Sequence, residues 1–502
     1  MANPLIANYQ DVDFSKYTYL LEPQTRVFFV GIGGISMSGL AELAQDRGLV
    51  VGGSDRARGA RVADLERRGI QVYCPQRAEN IEDFRAEALV YSAAISQDNP
   101  ELVKARELGL PCLERSVWLG LVNRSYPQVI NVAGTNGKST TTAMCSYILL
   151  DAGMDPTIHL GAELDRLNST VHTGRGELML SEACEFNLSF YAFYSTITAI
   201  LNLGHDHVDI FPNMEDVLEA FAGYILRQAP ATKLVLPSFD PHIPALLDLV
   251  DRQRPGFLEQ LEIYYYGYAT DKVQADLAIS KLRYEAGLPL FNLTYQGQDL
   301  GTFRLSIPGR FNVENAAAAL LLCHLAGADF DLAKQSLQAF KGAEGRFTLA
   351  GHYQGALIVN DYAHHPDSLK LTLEAAAEIP HRRIFACFQP ITYSRAKGLF
   401  PEFVEALKDQ AHPILLEVFD DREKDRSFSS AHIAEAINAQ GGSALFFAQL
   451  DDLEAYLRQE LKEGDLALLM GQNIRQVGDR LAERQDHFHQ HQGLAEQQST
   501  KA

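Results

Sequence analysis

The run Val129-Ile-Asn-Val-Ala-Gly-Thr-Asn-Gly-Lys-Ser-Thr-Thr-Thr142 carries an apolar stretch into a Gly-rich turn, and a helical pattern follows. This is chemistry for holding a nucleotide triphosphate. Gly134 and Gly137 let the backbone turn its N–H groups toward phosphate oxygens, and the helix adds its positive end. Lys138 neutralises β/γ charge and Ser139 can ligate Mg²⁺, so Gly134, Thr135, Asn136, Gly137, Lys138, Ser139 and Thr140 are the ATP-binding candidates. The long form of the motif needs glycine at 132, where this chain has Val132, so the match is to the shorter loop. A Thr-rich helix start after a strand is the structural alternative. Gly, Lys and Ser falling in register between strand and helix favour the nucleotide.

A second glycine turn, Gly31-Ile-Gly-Gly-Ile-Ser36, follows the apolar run Arg26-Val-Phe-Phe-Val30, with Asp55 roughly twenty residues onward. It has the outline of a dinucleotide fingerprint, except that Ser36 stands at the third glycine position. Such a turn takes any diphosphate at a helix N-terminus, a UDP-sugar as readily as NAD. A structural tight turn remains open beside that reading. A dehydrogenase or regulatory nucleotide-binding protein built on this turn would leave the phosphate loop unexplained. A Cβ at Gly33 is expected to intrude on a bound diphosphate.

Further candidates sit where apolar runs end. Glu182 follows Leu178-Met-Leu180, at the strand end where α/β sheets place ligands. His207 comes four residues after an expected strand over 198–203, and Asp206 and Asp209 beside it either hydrogen-bond to a ligating group or are turn and helix-start residues. Asn312 and Asn315 are spaced to share one face at the start of an Ala-rich helix over 316–320, or one caps and the other packs. Asp361-Tyr-Ala-His-His-Pro366 follows a strand, but adjacent histidines diverge and do not make a metal pair. Arg346 and Arg395 are candidates for charge contacts to phosphates or substrate, with surface ion pairs as the plain alternative.

The elements that must position these groups form an α/β pattern in which short Val/Ile/Leu runs alternate with helical periods. At 502 residues the chain exceeds one core, and three blocks are read. They are 1–126, 127–345 with a β-rich stretch over 264–305, and 346–484, followed by a polar tail over 485–502 expected to be disordered. The formal net charge of −20, from 44 basic and 64 acidic residues, argues against nucleic-acid or anionic-membrane partners. No signal peptide or membrane-length apolar run is read, so a cytoplasmic location is expected. Six scattered cysteines without C-x-x-C spacing read as reduced, buried thiols, not zinc ligands or disulfides.

Taken together, the motifs resemble the Mur ligases over nearly the whole chain before the tail. The segments that carry the likeness are Gly31 to Gly39, Gly53-Ser-Asp55, Val90-Tyr-Ser-Ala-Ala-Ile95 with Asp98-Asn-Pro100, the phosphate loop, Glu182-Ala-Cys-Glu185 and Asn202 with Asp206-His-Val-Asp209. Pro308 to Asn315, Arg346-Phe347, Asp361 to Pro366 and Phe388 to Arg395 complete it. The resemblance implies three domains: an N-terminal Rossmann-like one for UDP, a central P-loop ATPase-like one, and a C-terminal Rossmann-like α/β one that closes over the nucleotide. It implies ATP and Mg²⁺, with L-alanine joined to the carboxylate of UDP-N-acetylmuramate through an acyl phosphate, in a monomer or homodimer. By the same resemblance Ser139, Glu182 and His207 hold metal, Asn312 and Asn315 hold adenine, Lys138, His207 and Arg395 are catalytic, and Gly31, Gly33, Gly34, Ser36, Asp55 and Ser92 hold the UDP-sugar.

Departures from the family pattern are Ser36 for glycine, Phe311 and Ile391 for histidine, and Gln472 for a second small residue. The adenine and phosphate contacts expected at 311 and 391 thus lack their imidazoles. No lysine occurs between Lys138 and Lys233, whereas later-acting members use a carbamoylated lysine there. That favours the alanine-adding branch. A murein-peptide recycling ligase, or a paralogue attaching another amino acid or peptide, remains the alternative.

Overall fold

Strand β1 (Arg26–Val30) is buried from Val27 to Val30, which a Val/Phe run without polar alternation requires. It pairs in parallel with β2 (Val50–Ser54) and β4 (Ala88–Tyr91), and β3 (Gln71–Tyr73) and β5 (Cys112–Glu114) complete a five-stranded sheet in the order β3-β2-β1-β4-β5. Every pairing is parallel, so each strand is fed by a crossover and the ligand-accepting ends of the strands fall on one side. The computed structural model describes residues 12–164, 166–167, 169–205, 210–343, 345–420 and 426–482, and the expected tail lies outside them.

The second sheet is built around β6 (Gln128–Ala133), the apolar lead-in to the phosphate loop. β9 (Leu178–Glu182) and β10 (Ile197–Ile200) pair with it in parallel on either side. β7 (Thr157–Leu164) joins β9 in parallel and turns back into β8 (Ser169–His172), while β11 (Lys233–Pro237) and β12 (Glu262–Tyr268) extend the other side. β13 (Leu277–Glu285), β14 (Leu288–Tyr295) and β15 (Gln298–Arg304) give a ten-stranded order, β15-β14-β13-β12-β11-β10-β6-β9-β7-β8. The third sheet runs β16-β17-β21-β18-β19-β20, from β16 (Thr348–Tyr353), β17 (Ala356–Asp361), β18 (Ile384–Phe388), β19 (Pro413–Leu416), β20 (Leu445–Phe447) and β21 (Leu466–Met470). Only β16 is antiparallel in it. This is the expected α/β class with three sheets.

Two compact units divide the chain. The first takes residues 1–279, 294–300 and 315–336; the second takes 280–293, 301–314 and 337–502. The first unit therefore holds both the five-stranded sheet and the strands around β6, over one core that includes Trp118, Phe190 and Phe221. Two boundaries differ from the sequence reading. The strand expected over 198–203 stops at Ile200, because Leu201 and the residues after it turn toward the phosphate loop. The Ala-rich helix is Arg310–Leu325, so Asn312 and Asn315 are interior helical residues and neither is its cap. Of the cysteines, Cys145, Cys323 and Cys387 are buried while Cys74, Cys112 and Cys184 are partly exposed, and all are free.

The second unit is tied by one buried carboxylate. Asp465, 1% exposed, accepts from Arg382 at 2.8 and 2.9 Å, from Arg383 at 2.8 and 3.2 Å, and from the Lys462 N–H at 3.0 Å. Burial alone would raise its pKa, but the two arginines outweigh it and hold the carboxyl well below the usual range. Its contribution is therefore present at neutral pH and is lost on acidification below the ordinary carboxylate pKa. Because the arginines keep partial access to water, Asp465→Asn is expected to cost roughly 2 kcal/mol rather than the full penalty of a dry ion pair. Denaturant unfolding of the second unit at pH 7 checks this, and an unchanged midpoint would show the pairing to be superficial.

Candidate active site

β6 delivers the chain into the loop, and the geometry there is set by two glycines. Gly134 has φ +134° and Gly137 has φ +87°, and a Cβ on Gly137 would collide with Oδ1 of Asn315. Gly137 caps helix Lys138–Asp151, whose first intrahelical bond comes from Thr141, so the first-turn N–H groups of Lys138, Ser139 and Thr140 face outward from the helix end. The loop is pinned from behind by Asn202. Its Oδ1 accepts from Asn136 N at 2.8 Å and its carbonyl from Thr135 N at 3.1 Å. Those two N–H groups thus serve the loop's shape.

The Lys138 ammonium contacts the carbonyl of Gly134 at 2.5 Å and both oxygens of Glu185 at 2.8 and 3.1 Å. Burial opposes its charge, yet Glu185 more than compensates and its pKa lies above the ordinary lysine value. Ser139 Oγ donates to Glu182 Oε2 at 3.0 Å, while Oε1 of the same carboxylate accepts from Gly161 N at 2.7 Å. The two oxygen ligands expected for Mg²⁺ are therefore side by side at the end of β9. Among the described residues no three His, Cys, Asp or Glu side chains cluster as a cage. His207, Asp206 and Asp209 lie outside the described residues.

At the N-terminal turn the backbone N–H groups are already committed. Gly31 and Ile32 donate to Ser54 O at 2.8 and 2.9 Å, Gly34 to Gly31 O at 3.1 Å, and Gly33 to Asp55 Oδ2 at 2.9 Å. An anion docking there meets instead the first turn of helix Ile35–Asp46. The expectation for Gly33 needs correction: a Cβ there would first meet Asp55 Oδ2 at 2.8 Å and Val62 at 3.0 Å, so the glycine makes room for protein. A cavity of about 450 Å³ opens beside it, lined by Gly33, Asp55, Arg61 and Asp64. Ser92 follows β4 and its carbonyl accepts from Ile95 N at 3.0 Å.

Ser36 has two partners that the sequence reading missed. Its Oγ accepts from Arg115 Nη1 at 3.1 Å and lies 3.3 Å from Nε2 of His159 on β7. His159 is 4% exposed, and burial, then the charge of Arg115, pushes its pKa down to about 3, so the ring is neutral. Glu185 was also missed as a working group, although it was part of a quoted motif three residues after Glu182. Asn315 belongs to the first unit, against the phosphate loop. Asn312, 2% exposed and bonded to Pro308 O at 2.7 Å, belongs to the second, as do Arg395 on helix Tyr393–Gly398, Arg346 and Asp361. Asp361 is buried, accepts from Phe347 N and Ala363 N at 2.7 and 2.6 Å, and thereby shapes the turn before His364 and His365.

Three mainly parallel α/β sheets, a glycine phosphate loop and a strand-end carboxylate beside its serine define an ATP-dependent ligase architecture, and the family comparisons agree. The chain belongs to the Mur ligase family: models described as the Mur ligase family catalytic domain, the Mur ligase middle domain and the Mur ligase glutamate ligase domain match residues 26–126, 132–323 and 345–473. Within it, the chain is 39% identical to the UDP-N-acetylmuramate–L-alanine ligase of Caldanaerobacter subterraneus over 92% of its length and 98% of that protein. It is 35% identical to the enzyme of the same name from Acetivibrio thermocellus, covering 92% and 96%. The solved UDP-N-acetylmuramate-alanine ligase of Thermotoga maritima superimposes with a TM-score of 0.75 at 26% identity, covering 92% of this chain and 100% of that one. A murein peptide ligase from Psychrobacter arcticus, at 20% identity and a TM-score of 0.63, shares the fold.

The buried, neutral His159 makes a pH prediction. Its folded pKa lies below the ordinary 6.5, so under acid the unfolded state binds a proton that the native state refuses. Stability attributable to it should be intact above about pH 6.5 and fall by up to about 1.4 kcal/mol per unit as pH drops from there toward 3. Denaturant unfolding of the wild type and of His159→Gln between pH 7 and 4.5 should show a shallower slope in the variant. Equal slopes would mean that the ring takes up its proton in the folded state.

Proposed function

We propose that this protein joins L-alanine to the lactyl carboxylate of UDP-N-acetylmuramate at the expense of ATP, forming an amide and releasing ADP and phosphate. The observation that carries the reading is Ser139 hydrogen-bonded to Glu182 beside a half-buried Lys138 paired with Glu185, in a chain whose relatives bear that enzyme's name over nearly their full length. When bound, ATP supplies the phosphoryl group and Mg²⁺ neutralises the charge around it. In this assignment Lys138 exchanges Glu185 for β/γ oxygens, and the first-turn N–H groups of helix Lys138–Asp151 line the phosphates. Ser139 and Glu182 are assigned to the metal, with His207 as a further ligand. These groups bring the substrate carboxylate into line with the transferred phosphoryl group, which is most of what such a transfer needs. The acyl phosphate then takes the alanine amine, and loss of phosphate leaves the amide.

The remaining assignments complete the reading. In the same proposal residues 1–126 hold the UDP-sugar through the turn 31–36, Asp55 and Ser92, residues 127–345 hold ATP, Asn312 and Asn315 are assigned to adenine, and Arg395 in 346–484 is assigned a catalytic role. No helix among the described residues is long and apolar enough to cross a membrane, and a cytoplasmic location with no nucleic-acid partner belongs to the same proposal. A recycling ligase for murein peptides would share the ATP site, so the amine substrate is the discriminating variable. Product mass after incubation with UDP-N-acetylmuramate, ATP, Mg²⁺ and a panel of amino acids and peptides tests it. Ligation of a peptide in preference to L-alanine would overturn the assignment.

Two substitutions test the roles. Lys138→Ala should cut turnover by at least ~10²-fold with the fold intact, because a preorganised positive charge is lost from the transferred group. Near-normal turnover at saturating ATP would remove Lys138 from the mechanism. Glu182→Gln preserves shape but removes a hard anionic ligand, so half-maximal activity should require much more Mg²⁺. A superimposable Mg²⁺ titration would make Glu182 a structural acceptor for Gly161.

A further inference from the structure

Arg115 opens helix Arg115–Asn123 and is half-buried, yet among the described residues no carboxylate pairs with it. Its only hydrogen bond there is the one from Nη1 to Ser36 Oγ. A guanidinium removed from bulk water without a counter-charge is costly, and an arrangement of this kind awaits an anion. Ser36 stands in the first turn of helix Ile35–Asp46, the part of the N-terminal turn whose N–H groups are not consumed by Ser54, Gly31 and Asp55. In a protein of net charge −20, the helix end and Arg115 together form a local positive point.

His159 fixes this point from the other side. It is nine-tenths buried, Nε2 faces Ser36 Oγ, and Nδ1 has no partner. With Ser36 Oγ accepting from both Arg115 and the Nε2–H tautomer of His159, its own hydroxyl proton is left to donate outward. That tautomer leaves only a lone pair on Nδ1 unsatisfied, which costs less than a buried N–H. His159 also lies two residues before Gly161, whose N–H holds Glu182. One short strand segment thus touches both the N-terminal turn and the carboxylate beside the phosphate loop.

We propose that Arg115 is a substrate-binding residue, its guanidinium taking a diphosphate oxygen of the UDP-sugar while Ser36 and His159 hold it in place. This rests on the UDP-N-acetylmuramate reading above, and it assigns Ser36, the departure from the family's glycine, a role as the shared hydrogen-bond post between Arg115 and β7. The lactyl carboxylate of the same substrate offers similar oxygens, and UDP-N-acetylglucosamine, which has the diphosphate without that carboxylate, separates the two.

The experiment uses the full-length wild type, Arg115→Gln, Arg115→Lys and Ser36→Ala, measuring KM for each substrate and calorimetric binding of UDP-N-acetylmuramate and UDP-N-acetylglucosamine. Arg115→Gln should raise KM for UDP-N-acetylmuramate roughly tenfold or more and weaken both UDP-sugars by the same factor. KM for ATP and alanine should stay within about twofold. Arg115→Lys should recover part of the loss because the charge is kept, and Ser36→Ala should show a smaller change of the same kind. An unchanged KM for UDP-N-acetylmuramate, or an equal rise for ATP, in both Arg115 variants would overturn the proposal. A loss confined to UDP-N-acetylmuramate would overturn the diphosphate contact in favour of the carboxylate. A wild type that does not ligate alanine would sink the functional reading itself, whereas a working wild type with unaffected Arg115 variants would sink only this inference.

Discussion

A half-buried lysine ammonium held against a buried carboxylate is the constraint around which the first unit is organised. Burial opposes the charge on Lys138, but Glu185 lies against it and loop carbonyls accept its remaining protons. That requirement explains why the turn after β6 must curl back over its own helix and why its glycines stand at positive φ. It also explains why Asn202, on the strand-end segment next door, fastens the loop through both its side chain and its carbonyl. The pairing joins a partly exposed ammonium to a carboxylate that is itself buried. A hydrophobic replacement would be as stable and chemically idle.

The second carboxylate, Glu182, is held in a different way. One oxygen is fixed by a backbone N–H from β7, and the other accepts only from a serine hydroxyl. Fixing one oxygen and leaving the other exchangeable sets the direction of the ligand without a rigid cage. The parallel pairing of β6 with both β9 and β10 is what brings loop, carboxylate and Asn202 to the same edge, since all three strands end there.

Much of this was readable in the sequence because it is local. The phosphate loop, Glu182 after an apolar run and β1 each follow from a few neighbouring residues whose types leave little choice. The hairpin β7–β8 was not read, because Thr-Ile-His-Leu-Gly-Ala-Glu-Leu mixes a glycine and a histidine into a short strand and breaks the period of two. The cluster of Ser36, Arg115 and His159 was out of reach for another reason: its members are 79 and 123 residues apart, and no periodicity spans such a distance. Register decided the asparagines. A helix start placed six residues too late made Asn315 look like a cap, when the chain had already entered the helix at Arg310.

Two glycines in the N-terminal third are filled from outside by the middle third. A Cβ on Gly39 would press into Val171 at 2.7 Å and Thr170 at 2.9 Å, and one on Gly120 would collide with the carbonyl of Ala192. Backbone therefore meets neighbour at contact distance along two separate helices, with no flexible side chain between them to absorb a mismatch. The consequence is evolutionary as much as mechanical. The N-terminal third is not an interchangeable cassette, and a chimaera joined near residue 126 should function only when hairpin β7–β8 and the segment around Ala192 travel with it. Lineages can vary the sugar-nucleotide end freely at its solvent face, while the seam itself must drift in concert on both sides.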